Sequence, residues 1–173
     1  MLNKTIKNIV VIFLLYSMMI IDAVGETTLG GMNYPTASSS PSITSGNVIT
    51  NLNVVTGITI NDDSLHGWTL TVNSSNGTSV QPRLWNSING LNINYDLEIN
   101  NISGTLDSGL SVSPGENTPL SFSGNSSTIS ATGNKVSSTD NYSFDLQMTI
   151  VDTSGKLAGD YSDTLTLTLE SND

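Results

Sequence analysis

The sequence predicts an all-β protein: an immunoglobulin-like antiparallel β-sandwich behind an N-terminal signal peptide. Three observations carry this. From residue 48 onward apolar residues recur at every second position, the period of a half-buried strand. Gly, Asn and Pro punctuate the runs at short intervals, as turns between short strands require. Only 12% of the 173 residues are charged, so the Lys and Glu of a helical bundle are scarce.

The first 25 residues read as a processing signal. Lys4 and Lys7 give a positive start, and Ile9 to Ile21 is apolar except for Tyr16 and Ser17. Ala23 and Gly25 place small residues at the −3 and −1 positions of a cut after Gly25, the secretory pattern. The apolar run of thirteen residues falls short of the roughly 20 that span a bilayer, and no later stretch is longer. The mature chain, residues 26–173, is expected in the periplasm, at the cell surface or outside the cell, without a membrane span.

Residues 26–46 form a leader, either flexible or a donor strand. Gly30-Gly31, Pro35 and Pro41 argue against a helix or a central strand. The β-sandwich domain is assigned to residues 47–173. Val48, Thr50, Leu52 and Val54 alternate with Asn51 and Asn53, Gly57 interrupts, and Ile58 and Ile60 resume. Trp68, Leu70 and Val72 form the next run, and Asn76-Gly77 follows as a turn suited to positive φ. Leu91, Ile93, Tyr95, Leu97 and Ile99 share one face of the cleanest strand. Leu110, Val112, Leu120, Phe122 and Ile129 are inward candidates in shorter strands. Phe144, Leu146, Met148 and Ile150 make another run, and Tyr161, Leu165, Leu167 and Leu169 the last. Thr164, Thr166 and Thr168 take the opposite face of that last strand, where a β-branched residue suits a solvated pleat. Seven to ten strands of this kind pack economically as an antiparallel sandwich.

Charge narrows the partners. The net charge is −10, and the basic residues are Lys4, Lys7, Arg83, Lys135 and Lys156. Three beyond residue 25 cannot build the basic face that nucleic acid requires. Without cysteine, thiol chemistry, disulfides and Cys-based zinc sites are excluded. The strands face solvent with Asn, Ser and Thr rather than the Lys that often guards a sheet edge. Either the edges are covered or edge pairing is the protein's work.

The C-terminal stretch Leu157-Ala158-Gly159-Asp160-Tyr161-Ser162-Asp163-Thr164-Leu165-Thr166-Leu167-Thr168-Leu169 resembles the A-G-x-Y-x-D-x-x-x-V-x-V ending of spore coat protein U domains, which include the archaic chaperone–usher pilins. Arg83, Gly90-Leu91 and Tyr95-Asp96-Leu97 resemble that family's R…G…L-x-Y-x-L stretch. The family's usual cysteines are missing. The resemblance implies a pilin-like, incomplete sandwich and a fimbrial or coat-like structural subunit. A periplasmic chaperone, then the leader of a second copy, would supply the missing strand. It implies structural roles for Gly159, Tyr161 and Asp163, and a complementation groove lined by Phe144, Leu146, Leu165 and Leu167. The leader is the expected donor, though Ile43 to Val55 is better patterned.

Other residues have chemistry to offer. Trp68 or Trp85, if exposed, could face a sugar, which gives the alternative of a secreted carbohydrate- or cell-wall-binding module. Trp68-Thr69-Leu70 is more simply a core tryptophan on a strand. His66 is the only histidine, and no nucleophile-elbow sequence surrounds any serine, so no catalytic residues are assigned and an enzyme is not expected. Asp62-Asp63, Asp96 with Glu98, and Asp160 with Asp163 lack the calcium-loop spacing, so no metal or cofactor is assigned. Asp163 falls on the inward face, where a carboxylate needs partners. Capping a neighbouring loop's amides would supply them.

Overall fold

The computed structural model describes residues 7–14, 31–33, 36–37, 49–136, 140–157 and 159–172, with side chains from residue 52 onward. Twelve strands and no helix appear among them. They are β1 (Lys7–Leu14), β2 (Gly31–Asn33), β3 (Thr36–Ala37), β4 (Ile49–Asp62), β5 (Gly67–Ser74) and β6 (Arg83–Asn86). Then follow β7 (Leu91–Asn94), β8 (Asp96–Thr105), β9 (Leu110–Ser113), β10 (Ser126–Gly133), β11 (Asp140–Ile150) and β12 (Ser162–Ser171).

Two antiparallel sheets pack as a sandwich. One runs β7-β6-β12-β5-β10-β9 with β1 also on β12, and the other runs β2-β4-β11-β8 with β3 also on β4. Alternation places one side of each strand inside. Val55, Ile58, Ile60, Leu97, Ile99, Phe144, Leu146 and Ile150 of one sheet meet Leu70, Val72, Ile129, Leu165 and Leu167 of the other, all fully buried. Each such side chain contributes about 1.5–3 kcal/mol by leaving water, so the core can hold the domain without disulfides. Leu110, Leu120, Phe122 and Ile129 are buried, and Val112 packs against them half-buried.

Three details differ from the sequence expectation. The strand expected over Leu91–Ile99 is two strands in different sheets. Tyr95 leaves the ladder, donating its amide to Pro82 O at 3.2 Å, and the chain passes from β7 to β8 there without breaking the alternation. Gly57 does not end a strand. It takes φ +62° inside β4, where the register with β11 shifts and its N–H donates to Asp145 Oδ1 at 2.7 Å. This is a bulge, which glycine enters at no steric cost. Finally, neither Asn76 nor Gly77 takes positive φ. Their turn is held by a carboxylate instead.

Short segments line both sides of the β4-β11-β8 sheet. The leader's β2 and β3 lie along β4. Asn117 N and Leu120 N donate to Ile99 O and Leu97 O, laying residues 117–120 along β8. The rest of the leader lies outside the described residues.

Candidate functional site

The last strand organises the site. Asp163, second in β12, is 1% exposed and receives donors from three parts of the chain. Its Oδ2 accepts from Ser74 Oγ at 2.6 Å and Tyr95 Oη at 2.6 Å. Its Oδ1 accepts from Ser75 Oγ at 2.9 Å, Asn76 N at 3.1 Å and Thr164 N at 2.8 Å. A buried carboxylate is tolerable only with such partners. Here it caps the turn after β5 and ties it to β12. Burial and then the Asp163 charge push the Tyr95 hydroxyl well above its ordinary range, so it stays a donor.

The residues just before β12 set its entry. Tyr161 is fully buried, and its hydroxyl donates to Leu157 O at 2.9 Å. Gly159 sits where an added Cβ would meet Asn86 Nδ2 at 2.7 Å. Asn86 is committed: its Oδ1 accepts the amides of Ile88 and Asn89, shaping the β6–β7 turn.

From Ser162 to Leu169, β12 pairs antiparallel with β1, Leu14 opposite Ser162 and Lys7 opposite Leu169. On its other side β12 pairs with β5, Ser74 opposite Leu165. Ser162 also pairs with Trp85 of β6. One residue holds two ladder partners only on opposite sides, so β6 lies on the β5 side and β1 alone covers the other edge. Among the described residues, the eight of β1 are therefore what separates this edge from solvent. They fall inside the segment read as the signal peptide.

The four residues expected to line a groove occupy facing sheets, Leu165 and Leu167 on β12 and Phe144 and Leu146 on β11, all buried. Leu165 and Leu167 stand opposite Val11 and Ile9 of β1. The second pair belongs to a central strand and forms the layer beneath.

The tryptophans separate. Trp68 is fully buried, its ring 5.9 Å from that of Tyr142. It cannot face a ligand, because its alternation turns it into the sandwich. Trp85 is 39% exposed, near the Gly90 turn. His66 lies in the exposed loop before β5. No three acidic or histidine side chains converge to hold a metal among the described residues, and no helix there is long and apolar enough to cross a membrane.

One cluster escaped the sequence reading. Lys135 is buried between Asp62 and Asp140. Its position after Gly133-Asn134 looks like an exposed turn, and no local pattern marks a lysine whose partner lies 73 residues away.

No family model, curated protein or solved structure matches the chain.

Proposed function

We propose that the mature chain is an exported structural subunit, fimbrial or coat-like, that assembles by adding a strand to the β12 edge. One observation carries this: the edge is covered by residues 7–14, which lie upstream of the cut expected after Gly25. Cleavage would leave β12 with an unpaired row of N–H and C=O groups along Ser162–Leu169. Such an edge is a template for another chain. Main-chain hydrogen bonds supply affinity, and alternate side chains fill pockets beside Leu165 and Leu167. The resemblance at Gly159, Tyr161 and Asp163 supports the same strand as acceptor. A head-to-tail contact that does not close produces a fibre. A periplasmic chaperone would hold the edge until the leader of a second copy, within residues 26–46, takes it.

A secreted carbohydrate- or cell-wall-binding module is the second reading, supported by the exposure of Trp85 beside Ile88, itself 89% exposed. Light scattering on purified residues 26–173 separates the two. A subunit forms oligomers, or is an unstable monomer whose melting temperature rises with a peptide of residues 7–14. A stable monomer indifferent to that peptide, with Trp85 fluorescence quenched by a glycan, would overturn the first reading.

A further inference from the structure

Asp62 ends β4 and Asp140 begins β11, and the two stand directly opposite in the ladder. Like charges so placed repel. Lys135 lies between them from the loop after β10, its amide anchored on Leu65 O at 2.9 Å. Its Nζ is 3.0 Å from Asp62 Oδ2 and 2.9 Å from Asp140 Oδ2, and the side chains are 1%, 4% and 0% exposed respectively. Nζ also donates to Asp62 O at 2.5 Å.

The two carboxyl groups differ. Both oxygens of Asp62 are held by Ser64, Oδ1 by its amide at 3.2 Å and Oδ2 by its hydroxyl at 2.7 Å. Asp140 Oδ1 accepts Asp107 N at 2.6 Å. Asp140 Oδ2 has Nζ as its ion-pair partner at 2.9 Å. A polarised carboxyl, an amine in contact with it, and a second carboxylate paired with the same amine are the parts of an amide-forming site.

We propose that Lys135 and Asp62 condense to an intramolecular isopeptide bond, with Asp140 as the proton carrier. The Lys135 ammonium passes a proton to Asp140 Oδ2, and the freed nitrogen lone pair attacks Asp62 Cγ. The developing oxyanion takes the Ser64 N–H. Asp140 delivers that proton to one Asp62 oxygen, takes up the surplus proton of the new amide nitrogen and passes it to the same oxygen, which departs as water and leaves Asp140 ionised again. A C–N bond forms, a C–O bond breaks and one water leaves. An ammonium and a carboxylate become a neutral amide, so atoms and charge balance without any co-reactant.

Held contact replaces a bimolecular encounter, and exclusion of water disfavours the reverse reaction. Burial lowers the lysine's pKa, but hydrogen bonds to Asp140 and Asp62 and their charges outweigh it and hold Lys135 above its ordinary value. The amine is thus released by direct transfer to a neighbour rather than to bulk water, the task assigned to Asp140. The product would tie the end of β4 in one sheet to Lys135 in the loop after β10 of the other, a covalent staple in a chain without cysteine.

Intact-mass measurement on purified residues 26–173 tests this. The expected mass is one water below that of the sequence. After trypsin, the peptide ending at Arg83 should remain joined to one carrying Lys135, with no cut after Lys135. An unreduced mass with a free peptide ending at Lys135, or a water loss mapped elsewhere, would overturn the proposal. K135R and D140N should both restore the full mass while circular dichroism reports the same sandwich. Water loss persisting in folded D140N would overturn the role of Asp140. If either variant fails to fold, the unmutated chain's mass still decides the bond.

Discussion

Tyr95 donates a 2.6 Å hydrogen bond to Asp163 through the interior, joining the point where the chain changes sheets to the start of the last strand. The same carboxylate holds Ser74, Ser75 and Asn76, so one side chain registers three segments. Asp163→Ala would leave these buried donors without their acceptor. A loss of about 3–5 kcal/mol is expected, since each unmet buried polar group costs about 1–3 kcal/mol. Tyr95→Phe removes a single bond to a charged acceptor and should cost about 2 kcal/mol. Urea unfolding monitored by circular dichroism measures both. Equal midpoints for Asp163→Ala and the unmutated chain would remove the carboxylate from its organising place.

Buried tyrosines set the alkaline limit. Burial, and then the Glu116 charge, push Tyr142 up to about 12, and Tyr95 is raised as well. Unfolded tyrosine titrates near 10. Above that, the native state binds more protons than the unfolded state, so stability falls with pH. The stabilisation is fully present below about pH 10 and is lost as pH climbs through the folded values. Lys135, also raised, steepens the fall only if its amine is free. Melting temperature against pH, with tyrosinate absorbance followed in parallel, should show both signals changing together above pH 10. Tyrosinate appearing for every tyrosine at pH 10 without unfolding would contradict the burial.

The faces were legible in the sequence and the partners were not. Tyr161, Leu165, Leu167 and Leu169 were readable as one buried face because alternation reports which side a residue takes. The inward carboxylate of Asp163 was readable for the same reason. Alternation is silent on which strand lies alongside. Leu91–Ile99 keeps its pattern while moving between sheets, because the departure depends on Pro82 O, outside the run. The β1–β12 pairing was hidden because the run Ile9–Leu14 meets the demands of export and of a strand equally well. Trp85 and Trp68 carry the same residue type on strands, and only the packing tells them apart.

Gly159 gives the motif before the last strand a local reason. An alanine there would drive its Cβ into Asn86 Nδ2, while Asn86 holds two amides of the β6–β7 turn. The turn must open or the residues before Tyr161 must shift. Gly159→Ala is expected to cost about 1–2 kcal/mol and to alter the environment of Trp85 on the same hairpin. Thermal melting and tryptophan emission check this. Gly155, with open space around its Cβ position but φ +69°, provides the comparison: Gly155→Ala pays backbone strain alone and should leave Trp85 emission unchanged.

The donor strand is the remaining choice within the assembly reading. Residues 31–33 and 36–37 lie along β4 of their own chain, five residues of pairing that a leader would give up to enter another subunit. Eight main-chain pairs along β12 would more than replace them, together with apolar surface worth about 25 cal/mol per Å². Deleting residues 26–42 from the mature chain should therefore abolish oligomers in gel filtration. The truncated chain should still gain melting temperature from a peptide of residues 7–14, because the acceptor edge is intact. Loss of the peptide response would mean that the deletion damaged the sandwich. Oligomers that persist would move the donor from the leader's first part to Ile43–Val55, where the alternation is stronger.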